Sequence, residues 1–461
     1  MASKLLKFRE KHPFLSVLTI AFLIRLLAVL FAKGYGFDSE HFLYVETPNA
    51  WIDNIEYQHL NLDNVIQDYP QGRSLFYVSI NYLWFGFLKI FGITNPQLLM
   101  FFSRLLHAFI SLFVISFAYR ITDLLSDKKT AWWAALILSV YWFMPYVSVH
   151  NIASFVCVPF LMYGTLIILR QEVLRKAQLE KNLHRSSFAI AGFFLGLGFC
   201  VWYQSILYLF GILLALSILK NWKGAMMTFI GMLVAIGIVQ IIPDLIVWGR
   251  PFAELRAFIS SSTNYIFNAS PHSPWIYYSF LTIIMALIPP FSLMLMWGFF
   301  RNWRKNLLLF LPTFLFLLYY TIFPNKNEIY ILPVIPTFIV LGIVGWENFI
   351  KSSHFWQKNI RLYKYTMGFM ALINIVGLVA TVPMYSNKPE VKAMTYISKF
   401  KNTDSFVIDD KCCSKSKNPP VFYAKKWPNY TIVNLSNELK MNEFNLINKD
   451  VDFVLFRESK N

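Results

Sequence analysis

Residues 14–42 read FLSVLTIAFLIRLLAVLFAKGYGFDSEHF. The first part is an apolar run, 14 to 33, of a length that crosses a bilayer as one helix of roughly 20 residues. Two carboxylates and an imidazole, Asp38, Glu40 and His41, then follow within four residues of one another. Polar groups at a membrane exit are costly unless they bind or react with something, so this cluster is a functional-site hypothesis from the outset.

Composition agrees with a membrane reading. The 461 residues are 56% hydrophobic, 18% aromatic and only 15% charged, with a mean hydropathy of +0.48, whereas soluble domains carry about a quarter charged residues. A formal charge of +17 could suggest nucleic acid. Its Lys and Arg fall instead in short clusters between apolar runs, the pattern that fixes orientation in a bilayer, and no nucleic-acid partner is expected. Cys157 and Cys200 lie in apolar segments and Cys412 and Cys413 are adjacent, which gives neither zinc spacing nor a disulfide framework. Met1 to His12 is basic and precedes a run too long for a signal-peptide core, so a retained first helix is expected.

Further runs of crossing length occupy 100–119, 131–149, 152–170, 225–248, 276–299, 306–323, 329–348 and 365–385. Residues 188–220 are too many for one span and carry Trp202-Tyr203-Gln204 at their middle, which predicts two short helices. Positive charge decides the remaining ambiguity. If Ser74 to Ile93 lies along the interface, with its Asn81 and Lys89, every basic cluster from Lys4 to Lys364 faces the cytoplasm. The expected fold is therefore an all-α polytopic membrane protein of about 11 transmembrane helices, with interfacial helices in a first outer loop at 34–99. The N-terminus is inside and the C-terminus outside. After Tyr385 a polar helical stretch, 390–401, precedes β-type runs at 405–408, 421–423, 430–433 and 453–456. These predict a small α/β extracytoplasmic appendage, 386–461, on a membrane domain spanning 1–385.

In this topology the outer face collects Asp38, Glu40, Glu46, Arg73, His150, Asn151, Gln204, Asp244, Arg256, Lys326 and Glu328. Each has a plainer role open to it. Asp38 or Ser39 can cap a helix and Glu40 can favour its positive end. Asp244 can pair with Arg250 or Arg256, and His150-Asn151 can start a helix. Gln204 can satisfy frayed backbone groups, while Lys326 and Glu328 can be solvated loop charges.

Taken together, several segments resemble a known family: Glu40-His-Phe-Leu-Tyr-Val-Glu46, Arg73-Ser74, the Asp244–Gly249 run followed by Tyr265-Ile-Phe-Asn268 and Pro274-Trp275-Ile-Tyr277-Tyr278, and Asn325-Lys-Asn-Glu-Ile-Tyr330. They are similar to GT-C polyprenyl-phosphate-dependent glycosyltransferases, closest to the mannosyltransferases that extend lipid-linked glycans and GPI anchors, with their bacterial relatives. In that branch the first loop carries an Asp-Glu pair and a later turn a His-Lys-Glu-type motif. Here Ser39 takes the first acidic position with Asp38 one place earlier, and Asn325 stands for the His.

The resemblance implies an inverting transfer of a mannose-like hexose from a polyprenyl-phosphate donor to a hydroxyl of a glycan, lipid or protein acceptor, outside the membrane. The catalytic carboxylate would be Asp38, by a one-residue shift, or Glu40. Glu46, Arg73, His150, Asn151, Gln204, Asp244, Arg256, Lys326 and Glu328 would bind substrate, with Arg73, Arg256 and Lys326 beside the leaving phosphate. No cofactor is expected, and no residue cluster demands a divalent metal. The short loops favour a bacterial inner membrane. The alternative reading is a transporter or flippase for a lipid-linked saccharide, in which intramembrane charges would line a path and inverted repeats would be expected. No internal repeat is visible, and the polar residues gather on one side.

Overall fold

The computed structural model describes residues 2–53, 70, 72–178, 184–268, 278–323, 327–400, 403–410, 418–433 and 452–457. Lys326 and the 274–277 part of the resemblance lie outside these residues. Contacts divide the chain into two compact units. One comprises Met1–Ala32, Gln71–Tyr77 and Arg104–Met384; the other comprises Lys33–Pro70, Val78–Ser103 and Tyr385–Asn461. The first loop, expected to belong with 1–385, is grouped for the most part with the C-terminal residues.

The first unit is helical because its apolar runs are long, long enough to carry Pro243 and Pro312 inside helices. Pro13–Phe31 begins with proline at its first position, where the missing N–H costs nothing. It buries Ser16, Val17, Ala21, Arg25, Ala28 and Val29, a stripe at three- and four-residue spacing. Leu23, Leu27 and Leu30, on the opposite side, are about half exposed, which suits lipid rather than water. Arg25 is held inside the bundle by two of its three nitrogens, and among the described residues its Nη2 has no hydrogen-bond partner. Its Nε donates to Ser111 Oγ at 2.7 Å, and its Nη1 to the carbonyls of Ala21 and Ser139.

Among the described residues six helices are long and apolar enough to cross a membrane: Pro13–Phe31, Pro96–Leu125, Ala153–Lys176, Trp222–Trp248, Glu328–Ser352 and Ile360–Thr381. Shorter apolar helices accompany them, and the protein is an integral membrane protein. The expected pair at 188–220 is present as Arg185–Val201 and Ile206–Ile218, joined by the 3-10 turn Tyr203–Ser205. The expected single run 131–149 is broken into Lys128–Val140 and Met144–Val149; Tyr141 turns extended four residues before Pro145, whose ring would clash with its carbonyl in a continuous helix. Leu75–Ile90 has 16 residues, about 24 Å at 1.5 Å each, short of a bilayer core.

Close backbone approach fixes the packing of Arg185–Val201 on Trp222–Trp248. A Cβ on Gly192 would lie 1.9 Å from the Thr228 carbonyl oxygen, and one on Gly231 would lie 2.0 Å from that of Ala189. Small residues let helices meet in lipid, where dispersion and weak polar contacts replace the hydrophobic drive.

Asp127 starts Lys128–Val140 by accepting the Thr130 N–H at 2.8 Å, and it also holds Lys351 Nζ at 3.0 Å. The Thr130 N–H, more than the Lys351 contact, holds its carboxyl down at about 2. That stabilisation is complete above the unfolded value and fades as pH falls from about 4 towards 2. Asp127→Ala is expected to cost about 1 kcal/mol, and Asp127→Asn much less, because the amide oxygen still caps. Thermal unfolding in detergent at pH 7 checks both.

In the second unit three parallel strands, β1 Ser405–Asp410, β2 Asn429–Val433 and β3 Phe453–Arg457, form a sheet in the order β2-β1-β3. Three of the four expected strands are thus present. The fourth, 421–423, is a 3-10 helix, Val421–Ala424. Pro419 and Pro420 precede it and offer no N–H to a ladder, and Tyr423 N–H closes back onto the Pro420 carbonyl at 3.1 Å. Its four residues are buried in a core that includes Val391, Met394 and Ile397 of Lys388–Ile397, Phe406 of the sheet, and Tyr35, Phe42, Val45 and Phe85 of the first loop. A C-terminal segment too small to bury a large core by itself completes one with loop residues.

Candidate functional site

Both candidate bases sit in the first turn of a helical segment in the second unit. Phe37 is extended at the cap position, and neither Asp38 nor Ser39 caps the helix: Asp38 is already its first residue. The capping alternative for that pair therefore fails. Asp38 and Glu40 are half-buried, and carboxylates are favoured beside the unpaired N–H groups of a helix start. The helix then widens. Asp38–His41 runs into a π turn, Phe42–Glu46, before resuming as Thr47–Ile52, and Thr47 Oγ1 donates to the carbonyl of Phe42 at 3.0 Å.

Residues five apart stand about 140° apart on a regular α-helix. The extra residue of the wide turn brings His41 and Glu46 together, with Nε2 to Oε1 at 3.3 Å and both side chains fully enclosed. The field around them is negative. The Tyr35 phenol is pushed up by its burial first, and then by Asp38, Glu390 and Glu46, so it stays protonated at any ordinary pH.

The first unit gathers a second set of polar residues around Glu254, which the sequence reading does not single out. Its Oε2 accepts the backbone N–H of Gly72 at 2.7 Å and of Arg73 at 3.0 Å, and its Oε1 accepts the Trp248 indole at 3.0 Å. Burial pushes the Glu254 carboxyl up, against the opposing effect of those donors. Its own N–H donates to Asp244 Oδ2 at 3.3 Å, while Gln240 Nε2 donates to Oδ1 at 3.1 Å. Asp244 therefore receives the start of the Ala253–Asn268 helix. The ion pair expected with Arg250 or Arg256 is not formed among the described residues, and both arginines are exposed. A sequence signal existed for Glu254. Gly249 ends a helix in the left-handed region, Pro251 follows, and an acid in the next first turn marks a new helix start.

The same set continues along the chain from Arg73. Ser74 Oγ donates to the Cys200 carbonyl and Tyr77 meets His107. Arg104 and His107, one turn apart on Pro96–Leu125, lie close enough to His150 to disfavour its charge. They too are absent from the sequence reading, although paired polar residues within an apolar helix carry the same signal as Asp244. His150 Nδ1 donates to the Tyr146 carbonyl at 2.8 Å, which fixes the tautomer and leaves Nε2 as a buried acceptor with no hydrogen-bond partner among the described residues. Burial lowers its imidazolium to about 4, so it is neutral at pH 7. Ile152, not Asn151, stands at the cap of Ala153–Val156, and Asn151 is buried.

Gln204 is half-buried in its 3-10 turn, and no described hydrogen bond engages its amide. The frayed-backbone role is therefore not seen. Tyr203 beside it packs on Phe258, and Trp202 on Tyr330. Glu328 is exposed at the head of Glu328–Val334, where Asn327 makes the cap by accepting the Ile329 N–H. Arg73, His150, Asn151, Gln204, Asp244 and Glu328 thus border one connected set of contacts. Asp38, Glu40 and Glu46 belong to the other unit.

A family model described as the Alg9-like mannosyltransferase family matches residues 16–415. The chain belongs to that family. No curated protein matches it. Among solved structures, this Alg9-like chain is similar to ArnT from Cupriavidus metallidurans bound to undecaprenyl phosphate, with a TM-score of 0.56 and 12% identity over 95% of this chain and 88% of that one. It is also similar to the oligosaccharyltransferase AglB from Archaeoglobus fulgidus in complex with an inhibitory peptide and a dolichol-phosphate. That match has a TM-score of 0.51 and 14% identity over 88% of this chain, which spans 63% of the length of AglB. At such identities the likeness is one of fold, and the fold is that of the GT-C glycosyltransferases.

Proposed function

We propose that this Alg9-like protein transfers a mannose-like hexose from a polyprenyl-phosphate donor to an acceptor hydroxyl on the outer side of a bacterial inner membrane, with inversion. The observation that carries the proposal is the family match over 16–415, which takes in the acidic helix and every other candidate residue. The undecaprenyl phosphate bound to ArnT and the dolichol-phosphate bound to AglB support a lipid-phosphate donor.

In the proposed reaction a carboxylate, Asp38 or Glu40, takes the acceptor hydroxyl proton as its oxygen bonds to the anomeric carbon. The bond from that carbon to the phosphate oxygen breaks, and its electron pair leaves with the polyprenyl phosphate. One displacement by one base inverts the centre. Arg73, Arg256 and Lys326 are proposed to balance the charge gathering on the phosphate. Gln204 and Glu328 are proposed to contact substrate, with His150 and Asn151, which are buried, close by and not in direct contact with it. A glycan, lipid or protein can supply the acceptor.

The test is an assay of the purified protein with a panel of radiolabelled polyprenyl-phosphate sugars and membrane-extracted acceptors. Transfer of label from one donor, with the opposite anomeric configuration in the product, supports the proposal. Donor binding without transfer, together with movement of a lipid-linked sugar across reconstituted vesicles, replaces it with the transporter reading. The proposed chemistry uses protein groups alone. EDTA is accordingly expected to change the rate by less than about twofold, and a loss restored by Mg2+ or Mn2+ would place a metal in the mechanism.

A further inference from the structure

We propose that the C-terminal segment around Val421–Ala424 splints the acidic helix, and that Glu46 with His41 is a positioning residue of the reaction rather than a substrate ligand. The catalytic part of this inference rests on the proposed function; the splint itself does not.

Three anchor points hold the helical segment 38–52 and its flanks. At its approach, Ser386 N–H donates to the Lys33 carbonyl at 3.1 Å, and Asn387 Nδ2 to that of Tyr35 at 3.3 Å. At its centre, Glu46 Oε1 accepts the Phe422 backbone N–H at 3.1 Å. The His41 ring there is near-parallel to two rings, Tyr35 at 4.1 Å and Tyr423 at 5.6 Å, which lie 6.5 Å from each other. At its end, Asp53 takes Trp427 Nε1 at 3.0 Å and Lys89 Nζ at 2.7 Å.

Exposure argues against a substrate role for Glu46. Its side chain and that of His41 are both 0% exposed, so no sugar hydroxyl reaches them without unpacking Tyr35 and Tyr423. An enclosed carboxylate is expensive unless paired, and an apolar side chain of similar size would stabilise the helix as well or better. What the carboxylate adds is register. The Phe422 N–H can be satisfied in one place only, and that place exists because the π turn swings Glu46 towards His41. Wide turns of this kind recur at functional sites. Here the turn sits one residue after the pair Asp38 and Glu40, with His41 joining them, so the splint fixes the rotation of that first turn about the helix axis.

The test compares full-length wild type with Glu46→Ala, Glu46→Gln and Trp427→Phe by amide hydrogen exchange and by transfer kinetics. Glu46→Ala is expected to speed exchange in 38–53 by about tenfold or more while 185–218 is unchanged. It should lower kcat about tenfold with donor KM within about twofold, as misplacement without lost binding requires. Glu46→Gln keeps the acceptor oxygen for Phe422 and should recover most of both effects. Trp427→Phe removes one anchor and should loosen only the end of the segment, which keeps the test decisive if Glu46→Ala does not fold. Unchanged exchange in Glu46→Ala, or unchanged exchange with donor KM raised more than about tenfold, overturns the splint, the second by making Glu46 a ligand. If wild type transfers no sugar, exchange still decides the splint, and the enzymatic reading is what falls.

Discussion

Of the two substitutions Asp38→Asn and Glu40→Gln, one will lower kcat by roughly 10²–10⁴ and the other by less than about tenfold. Both residues lie in one helical turn, two positions apart. At about 100° per residue they point some 200° around the axis from one another. A single acceptor hydroxyl therefore meets one of them, and the other is left to support the helix start, where a carboxylate is worth about 0.3–1 kcal/mol. Both changes preserve size and remove the basic oxygen. The larger effect should fall on kcat, since proton removal belongs to the transition state, with donor binding within about twofold of wild type. The double variant should be no slower than the slower single one, because a missing base cannot be lost twice. Transfer that survives both substitutions within tenfold would place the base elsewhere.

Much of the first unit was legible because membrane helices are written in long apolar runs. The run 14–33 is Pro13–Phe31, and 188–220 divides at Trp202-Tyr203-Gln204 as its length required. Breaks inside a run were harder to read. Tyr141 to Phe143 interrupts 131–149 without a charged residue, and only Pro145 hints at it. In the C-terminal segment, Val421-Phe-Tyr has the composition of a strand and lies in a 3-10 turn, because Pro419 and Pro420 outweigh side-chain propensity.

The acidic cluster at 38–46 was legible by its cost, since carboxylates beside a membrane exit need a reason. The π turn was not. It brings Glu46 to Phe422, 376 residues away, and no local pattern encodes that partner. The plainer roles open to Asp38, Asp244 and Asn151 fail locally: Phe37 and Ile152 stand at the two cap positions, and Asp244 accepts the backbone N–H of Glu254, ten residues on, instead of pairing with Arg250 or Arg256.

Removing the Glu254 carboxylate should produce the largest loss of stability among single changes in the polar set. Glu254→Ala orphans two backbone donors, Gly72 and Arg73, and the Trp248 indole. Each buried donor left unpaired costs about 1–3 kcal/mol, and partial access of water to the Gly72–Arg73 stretch holds the total near about 3 kcal/mol. The stretch cannot adjust by moving inward, because Gly72 has φ +79° and a Cβ there would already lie 2.7 Å from the Phe258 backbone. Glu254→Gln retains one acceptor oxygen and should lose about half as much.

The pH dependence separates charge from acceptor geometry at this position. Because burial raises the Glu254 carboxyl in the folded protein, its contribution is complete below the unfolded value of about 4.3 and declines as pH rises through the folded one. Glutamine does not titrate. The melting-temperature advantage of wild type over Glu254→Gln should therefore be greatest near pH 4 and shrink towards pH 8, the opposite sense to the loss at Asp127. An advantage that grew with pH would show that the donors from Gly72 and Arg73 outweigh burial, and that Glu254 holds the end of the first loop as an anion. Arg73 is the proposed partner of the leaving phosphate, so Glu254→Ala should also raise donor KM, by about tenfold, and Glu254→Gln by less.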